Sequence, residues 1–165
     1  MSGRATIAGT RPTAAAPGLL WVFTAEVTVA APVEIGAADS GRRRAIAITG
    51  GRVHGPRLEG EVLPGGADWQ TVEEDGLTRL EAHYPIRATD GTVIEVINPG
   101  VRVASPEVSA AIARGEPVAA DAYYFRTTPR FIVPDGPFGW LRRTVFVASG
   151  VRRPDRVEID FYAVS

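Results

Sequence analysis

The sequence of 165 residues contains no cysteine and no lysine, and it has only two histidines and one methionine. Without cysteine, the chain has no thiolate nucleophile, no disulfide and no sulfur ligand for zinc or iron. Without lysine, it cannot form a Schiff base with a carbonyl substrate or with pyridoxal phosphate, and it has no P-loop lysine. These absences exclude several common catalytic mechanisms but leave the redox compartment undetermined.

The chain also lacks a charge excess and a long apolar run. Its net charge is −1 although all eighteen basic residues are arginine, whereas nucleic-acid-binding domains usually carry a pronounced basic excess. The most apolar stretch, LLWVFTAEVTVAAPV, is interrupted by Glu26 and Pro32 well before the roughly 20 residues that a membrane-spanning helix needs. We therefore expect a cytoplasmic protein without nucleic-acid or membrane partners.

The length and the hydrophobic content of 45% suit a single domain with one core. Residues 1–18 are mostly small or turn-forming and contain no apolar segment like that of a signal peptide. We therefore predict a flexible N-terminal tail over residues 1–18, followed by one domain over residues 19–165.

The rest of the chain is dominated by apolar residues at every second position, as in FTAEVTV, TVIEVIN and RVEIDFYAV. This alternation is typical of half-buried strands. Reversals at Asp75-Gly76, Asp90-Gly91 and Asp135-Gly136 suit antiparallel neighbours, because aspartate and glycine tolerate positive φ. Eight such segments predict an all-β sandwich or barrel.

The exception to the alternation is SPEVSAAIARGEPV. Ser105 can cap a helix, Pro106 suits its first position and Gly115 can end it. This pattern predicts one short helix near residues 106–114.

Glycine is concentrated in GGRVHGPRLEGEVLPGGADWQ, residues 50–70. In a strand region such glycines indicate bulges or sharp bends, as the closure of a barrel requires, and Pro64-Gly65-Gly66 reads as a turn. The stretch does not match G-x-G-x-x-G and no helix follows it, so a dinucleotide site is not favoured. The bends are of the kind that a barrel needs, although the strand pattern alone leaves a sandwich or a barrel open.

The same stretch, followed in order by DGTVIEVINPG, YYFRTTPRF and LRRTVFVASG, resembles the bacterial and fungal proteins of domain-of-unknown-function family 3237, also called the UPF0311 family. The resemblance covers roughly residues 19 to 164. It implies an all-β fold with a single closed β-barrel, which we expect to be antiparallel with about 8–10 strands. Proteins of the family are often associated with other subunits, so the resemblance also implies a homo-oligomer, and the family's biochemical role is mostly unassigned.

The Asp68-Trp69 pair is a candidate for catalysis, because it follows the predicted turn and lies at the start of a strand. A carboxylate beside an aromatic wall can have its pKa raised by desolvation, which suits a general acid or base. The alternative is that Asp68 accepts hydrogen bonds from the turn while Trp69 fills the core.

His54 lies in the predicted bend and could point inward, where an imidazole that titrates near neutrality could shuttle a proton. Arg57, Glu59 and Glu61 share one face of the next segment. That face binds a polar ligand if it lines the barrel, and it is a solvated face if the ordinary rule for half-buried strands holds. The two histidines show no metal-binding spacing, and we expect no metal.

YYFRTTPRF places Tyr124, Arg126 and Thr128 on one face of a strand. A phenol and a guanidinium together can bind a carboxylate or a developing oxyanion. In the alternative interpretation, the arginine packs against aromatic rings or pairs with an acid in the barrel wall. Asn98 precedes Pro99-Gly100 and is either a ligand-binding amide or a turn residue.

These residues predict a barrel that binds a small organic molecule and acts on it as a lyase, isomerase or cyclase without a cofactor. Asp68 or His54 would move a proton, and Tyr124 and Arg126 would bind the oxyanion. Trp69 and Trp140 would form walls of the pocket, and Arg57, Glu59 and Asn98 would contact the ligand. The alternatives are a noncatalytic carrier or sensor of a hydrophobic metabolite and a barrel with a filled interior that serves as an oligomer building block.

Overall fold

The computed structural model describes residues 11–165. Within them lie eleven strands, one α-helix and two short 3₁₀-helices. The helix α1 spans Pro106–Ala113, and the 3₁₀-helices span Ala120–Ala122 and Gly139–Arg143. The strands are β1 (Leu19–Val29), β2 (Val33–Ala38), β3 (Gly41–His54), β4 (Gly60–Val62), β5 (Ala67–Val72), β6 (Leu77–Ala88), β7 (Val93–Val103), β8 (Tyr124–Thr127), β9 (Arg130–Ile132), β10 (Phe146–Arg152) and β11 (Arg156–Val164).

Eight of the strands form a closed antiparallel barrel. They follow one another in the order β1, β11, β10, β8, β7, β6, β5 and β3, and β3 pairs with β1 to close the ring. The shorter strands extend it: β2 pairs with β3, β4 lies between β3 and β6, and β9 pairs with β7. The predicted barrel is therefore confirmed, and its closure leaves the eight strands without a free edge.

The glycine-rich stretch bends the barrel wall between β3 and β6. β4 and β5 both pair with β3 on one side and β6 on the other, so residues 63–66 interrupt what is otherwise one strand. A Cβ on Gly66 would lie 2.4 Å from the carbonyl oxygen of His83. Gly51 has φ +144°, and a Cβ there would lie 2.0 Å from the carbonyl oxygen of Glu26. These glycines allow the close strand contacts that a sharply curved sheet requires.

The predicted helix is confirmed as α1, whose N-cap Ser105 accepts a hydrogen bond from the Val108 backbone N–H at 3.1 Å. None of its residues is fully buried. Ser109 and Ile112 line a groove at one end of the barrel, so the helix covers that end.

The opposite end of the barrel interior is filled by aromatic rings. The rings of Phe23 and Phe161 stack at a centroid distance of 4.5 Å, and Phe131 meets Phe146 edge-on at 5.0 Å. All four residues are buried. We call this region the aromatic end, and the end beneath α1 the polar end.

Residues 11–18 precede the barrel, lie outside any helix or strand and are exposed. Residues 1–10 lie outside the described residues, so the flexible tail over residues 1–18 stays a prediction. In the described part of the chain, no helix has both the length and the apolar character needed to cross a membrane.

Candidate functional site

Four polar side chains on the inner face of the barrel each have one buried atom without a hydrogen-bond partner among the described residues. Their buried atoms are Asp68 Oδ1, Tyr84 Oη, Asn98 Oδ1 and Thr127 Oγ1. All four residues line one cavity of about 30 Å³. Buried polar atoms in folded proteins are nearly always paired, and an unpaired one costs about 1–3 kcal/mol. Their convergence on one cavity therefore marks it as the candidate site.

The register of the sheet explains this convergence. Asp68 on β5, Ala82 on β6 and Asn98 on β7 are direct neighbours in one row across three strands. The small side chain of Ala82 leaves space between the carboxyl group and the amide. The rest of the lining is apolar and consists of Val27, Val29, Ile48, Leu80, Ala82, Phe125, Val157 and Ile159.

Only one of the two carboxyl oxygens of Asp68 has a hydrogen-bond partner among the described residues. Its Oδ2 accepts a hydrogen bond from Gln70 Nε2 at 2.7 Å, and Gln70 Oε1 accepts one from Arg44 Nε at 2.8 Å. Burial raises the pKa of Asp68 to about 6, although the bond from Gln70 and the charges of Arg102 and Arg44 oppose this shift. Near neutral pH the carboxyl group can therefore both donate and accept a proton.

The other polar groups have complementary roles. Burial, and to a lesser extent the charge of Asp68, raises the pKa of Tyr84 above its ordinary value, so its phenol stays protonated and can donate a hydrogen bond. Asn98 Oδ1 can only accept, and the Thr127 hydroxyl can do either. The cavity thus combines a titrating acid with a fixed donor and a fixed acceptor between apolar walls.

Arginines dominate the polar end. Arg102, on the inner face of β7, is only 6% exposed. It shares a recess of about 10 Å³ with Asp68, Gln70 and Arg152, and this recess opens into a groove of about 710 Å³ beneath α1. Burial, and then the positive charges of Arg44 and Arg152, lower the pKa of Arg102 to about 10. It therefore stays charged at neutral pH inside the barrel mouth.

Residues 17–164 match the family model of DUF3237, a family described as proteins of unknown function. The chain belongs to this family. A UPF0311 protein of Clostridium acetobutylicum is 41% identical over 145 residues, which cover 87% of this chain and 92% of that protein.

Solved structures of related proteins share the barrel. A protein of unknown function from Rhodopseudomonas palustris has a TM-score of 0.87 and 38% identity, covering 94% of this chain and all of that one. A β-barrel-like protein from Acinetobacter baumannii has a TM-score of 0.78 and 33% identity, covering 96% and 99%.

A more distant similarity leads to a fungal enzyme. A hydroalkoxylation enzyme of Penicillium herquei is 35% identical over 91 residues, which cover 55% of this DUF3237 chain and 59% of that enzyme. The crystal structure of an enzyme from the same fungus has a TM-score of 0.70 at 22% identity, covering 95% and 99%. At this identity the structural likeness establishes a shared fold.

The interior placement predicted for Tyr124, Arg126 and Trp69 is wrong. Tyr124 is 51% and Trp69 45% exposed, and Arg126 is exposed as well. The Arg126 guanidinium lies 5.3 Å from the Tyr124 ring centroid, as in the alternative interpretation in which the arginine packs on an aromatic ring. The reason is alternation: Phe125, Thr127 and Asp68 occupy the inner face, so their chain neighbours point outward.

Of the remaining predicted residues, Asp68 and Asn98 line the cavity and the others lie away from it. His54 and Glu59 line an outer groove of about 450 Å³, and His54 Nε2 is 4.0 Å from Glu26 Oε2. The Arg57 guanidinium lies 3.9 Å from the Trp140 ring centroid, and this indole packs beside Phe146 at 5.8 Å. Arg57 and Trp140 therefore pack against each other at the aromatic end and do not line the cavity. Asn98 was predicted either to bind the ligand or to form a turn; it lies inside β7 and lines the cavity, so the turn does not form there, and ligand binding stays a prediction.

Sequence reasoning missed Tyr84, Thr127, Gln70 and Arg102. A signal was present in β7, where Ile94, Val96, Asn98, Gly100 and Arg102 share one face. An isolated polar residue on an otherwise apolar face is the pattern that marks the site. A face that is polar throughout, such as that of Arg57, Glu59 and Glu61, is exposed to solvent instead.

Proposed function

We propose that the protein is an enzyme that binds one small, largely apolar organic molecule inside the barrel and moves a proton with Asp68. The observation that carries this proposal is the convergence of four buried, unpartnered polar atoms on one apolar cavity, one of them on a carboxyl group with a pKa of about 6. A noncatalytic carrier needs no buried acid, whereas proton-transfer catalysis does.

The reaction class that we propose is the addition of a hydroxyl group across a carbon–carbon double bond, or the reverse elimination. The distant relative from Penicillium herquei is named as a hydroalkoxylation enzyme, and hydroalkoxylation is an addition of this kind. It requires one proton to leave an oxygen and one to reach a carbon, and a single carboxyl group can serve both steps.

In the forward direction, the neutral Asp68 carboxyl group protonates one alkene carbon. The substrate hydroxyl oxygen then bonds to the adjacent carbon, and its proton returns to the Asp68 carboxylate. One O–H bond and one C=C π bond are lost, while one C–O and one C–H bond form. The Tyr84 phenol and Asn98 Oδ1 orient the reacting oxygen, and the apolar walls restrict the access of water.

The size of the cavity supports a reaction within one molecule. The cavity of about 30 Å³ has room for only a few atoms, so its lining side chains would move apart to admit the reacting end of a ligand, and the rest of the ligand would extend through the recess into the groove at the polar end. A second separate reactant would not fit beside the first. A compound that carries both the hydroxyl group and the alkene would therefore cyclise.

The proposal is tested with ortho-allyl and ortho-prenyl phenols, whose cyclised products have the same mass as the substrates. Liquid chromatography with mass spectrometry should detect isomers formed by the protein, and Asp68→Asn should reduce their formation by about 100-fold or more.

The matched control is Asp121→Asn, because Asp121 is an exposed carboxylate on the surface and its replacement should not change the rate. Full turnover by a folded Asp68→Asn variant would disprove the catalytic role of Asp68. Binding of the phenols without any conversion would favour the carrier.

A further inference from the structure

The polar end holds a largely buried cation, Arg102, which shares its recess with the Asp68 carboxyl group but forms no ion pair with it among the described residues. Arg102 is 6% exposed, and its guanidinium has no hydrogen bond or ion pair among residues 11–165. A buried charge without a partner is costly, so such groups are normally paired or bind a ligand. We therefore expect the Arg102 guanidinium to bind an anion.

The neighbouring arginines are already engaged. Arg44 donates to Gln70 Oε1, and Arg152 donates to the backbone carbonyl oxygens of Arg153 and Arg156. Farther out, Arg42 Nε lies 3.5 Å from Glu34 Oε2. Arg102 is thus the member of the cluster with its planar donor fork free, and Arg44 and Arg152 add to the positive potential around it.

The position of Arg102 links the groove to the catalytic cavity. The cavity and the recess share Val29, Asp68, Phe125 and Val157, and the recess and the groove share Val29, Ile46, Arg102 and Arg152. A ligand that enters from the groove therefore passes the Arg102 guanidinium before it reaches Asp68.

We propose that Arg102, flanked by Arg44 and Arg152, binds a carboxylate group of the substrate, and that the substrate is consequently a small organic acid with an apolar body. This inference rests on the proposed function for the placement of the reacting part of the substrate beside Asp68. The binding of the acid itself does not depend on catalysis.

A carboxylate fits this site better than a phosphate. Guanidinium binds a carboxylate through two parallel N–H···O bonds, and one free fork matches one such group. A tetrahedral dianion requires more donors than a single fork provides. A carboxylate also supplies one negative charge beside Arg102 while Asp68 is in its neutral form.

The spacing limits the length of the acid. Asn98 and Arg102 are four residues apart on β7, which corresponds to about 13 Å along a strand, and the arginine side chain shortens the distance that the ligand must span. A substituted aromatic acid or a short-chain acid suits this distance.

Isothermal titration calorimetry of the full chain with trans-cinnamate, cinnamamide and phenyl phosphate tests the inference. The carboxylate should bind, and the neutral amide should bind about tenfold more weakly or worse. Arg102→Gln should weaken cinnamate binding by about tenfold or more, whereas the exposed control Arg130→Gln should leave it unchanged. Stronger binding of the phosphate, equal binding of the amide, unchanged binding by Arg102→Gln or no binding of any carboxylate would overturn the proposal.

Two further measurements keep this test separate from the proposed function. Asp68→Asn should still bind cinnamate even though it is expected to lose turnover, so binding that depends on Arg102 would stand if the catalytic proposal failed. Arg102→Gln should fold, because it removes an unpaired buried charge. If it does not fold, Arg152→Gln should weaken cinnamate binding, and unchanged binding in that variant would count against the site.

Discussion

The two ends of the barrel interior are built from the same strands but are filled in different ways. At the aromatic end, Phe23, Phe131, Phe146 and Phe161 pack ring against ring at 4.5–6.0 Å. At the polar end, the strands leave a cavity, a recess and a groove, and buried polar groups face one another without being paired.

The difference indicates which end stabilises the fold and which end serves function. Burial of aromatic rings gives a large favourable free energy, whereas an unpaired buried polar atom has an unfavourable one. Real proteins depart from good packing mainly at functional sites. Substitutions at the aromatic end should therefore cost stability, and substitutions at the polar end should cost activity while leaving stability unchanged or increased.

The largest effect is expected for Phe161→Ala at the aromatic end. Phe161 is fully buried, and its ring stacks on Phe23. Its truncation should lower the free energy of unfolding by about 3–5 kcal/mol, because it leaves a cavity among rigid neighbours. Urea denaturation followed by tryptophan fluorescence measures this change. A loss below about 1 kcal/mol would mean that the aromatic end relaxes easily and is not the stabilising half.

The next largest effect is expected for Asp68→Asn, which should raise the free energy of unfolding at neutral pH. Folding raises the pKa of Asp68 from 3.8 to about 6, so between these pH values the folded protein holds a proton that the unfolded chain releases. The contribution of Asp68 to the free energy of unfolding is therefore greatest below about pH 4 and falls by about 3 kcal/mol as the pH rises to about 6.

Asparagine mimics the neutral acid, so the stabilities of the two proteins should be similar near pH 4. The variant should be more stable at pH 7, by up to about 3 kcal/mol. Denaturation of both proteins across this pH range measures the difference, and Asp121→Asn controls for the removal of a surface carboxylate. A difference that does not change with pH would show that Asp68 does not titrate in this window.

A smaller effect is expected for Tyr84→Phe at the same cavity. The Tyr84 hydroxyl is buried without a partner among the described residues, so its removal should raise the free energy of unfolding by about 1 kcal/mol. Turnover of the phenols should nevertheless fall, because the fixed donor is lost. A clear loss of stability would mean that the hydroxyl is satisfied by a bound water and contributes to the structure.

The alternation of apolar residues predicted the strands of the barrel, and the capping pattern of Ser105, Pro106 and Gly115 predicted the helix α1. The alternation was not sufficient to predict the site. Alternation assigns residues to two faces without saying which one is inside, and Asp68 and Trp69 show that adjacent candidates cannot both point inward. The grouping of Asp68 with Asn98 and Arg102 depends on how β5, β6 and β7 pair. Register of this kind between strands is a property of the closed barrel and not of any one segment.

The smallest effect is expected for Arg126→Ala on the outer face. This variant tests whether the inner and outer faces of β8 differ in their contribution to function. Arg126 alternates with Phe125 and Thr127, which are buried, while its own side chain is exposed and lies over Tyr124. Loss of this exposed contact should change the free energy of unfolding by no more than about 0.5 kcal/mol. Turnover of the ortho-allyl phenols should be unchanged within error, and Asp68→Asn assayed in parallel provides the contrast from the inner face. A large loss of turnover in the Arg126 variant would move the active site to the outer surface, and the cavity around Asp68 would then need another explanation.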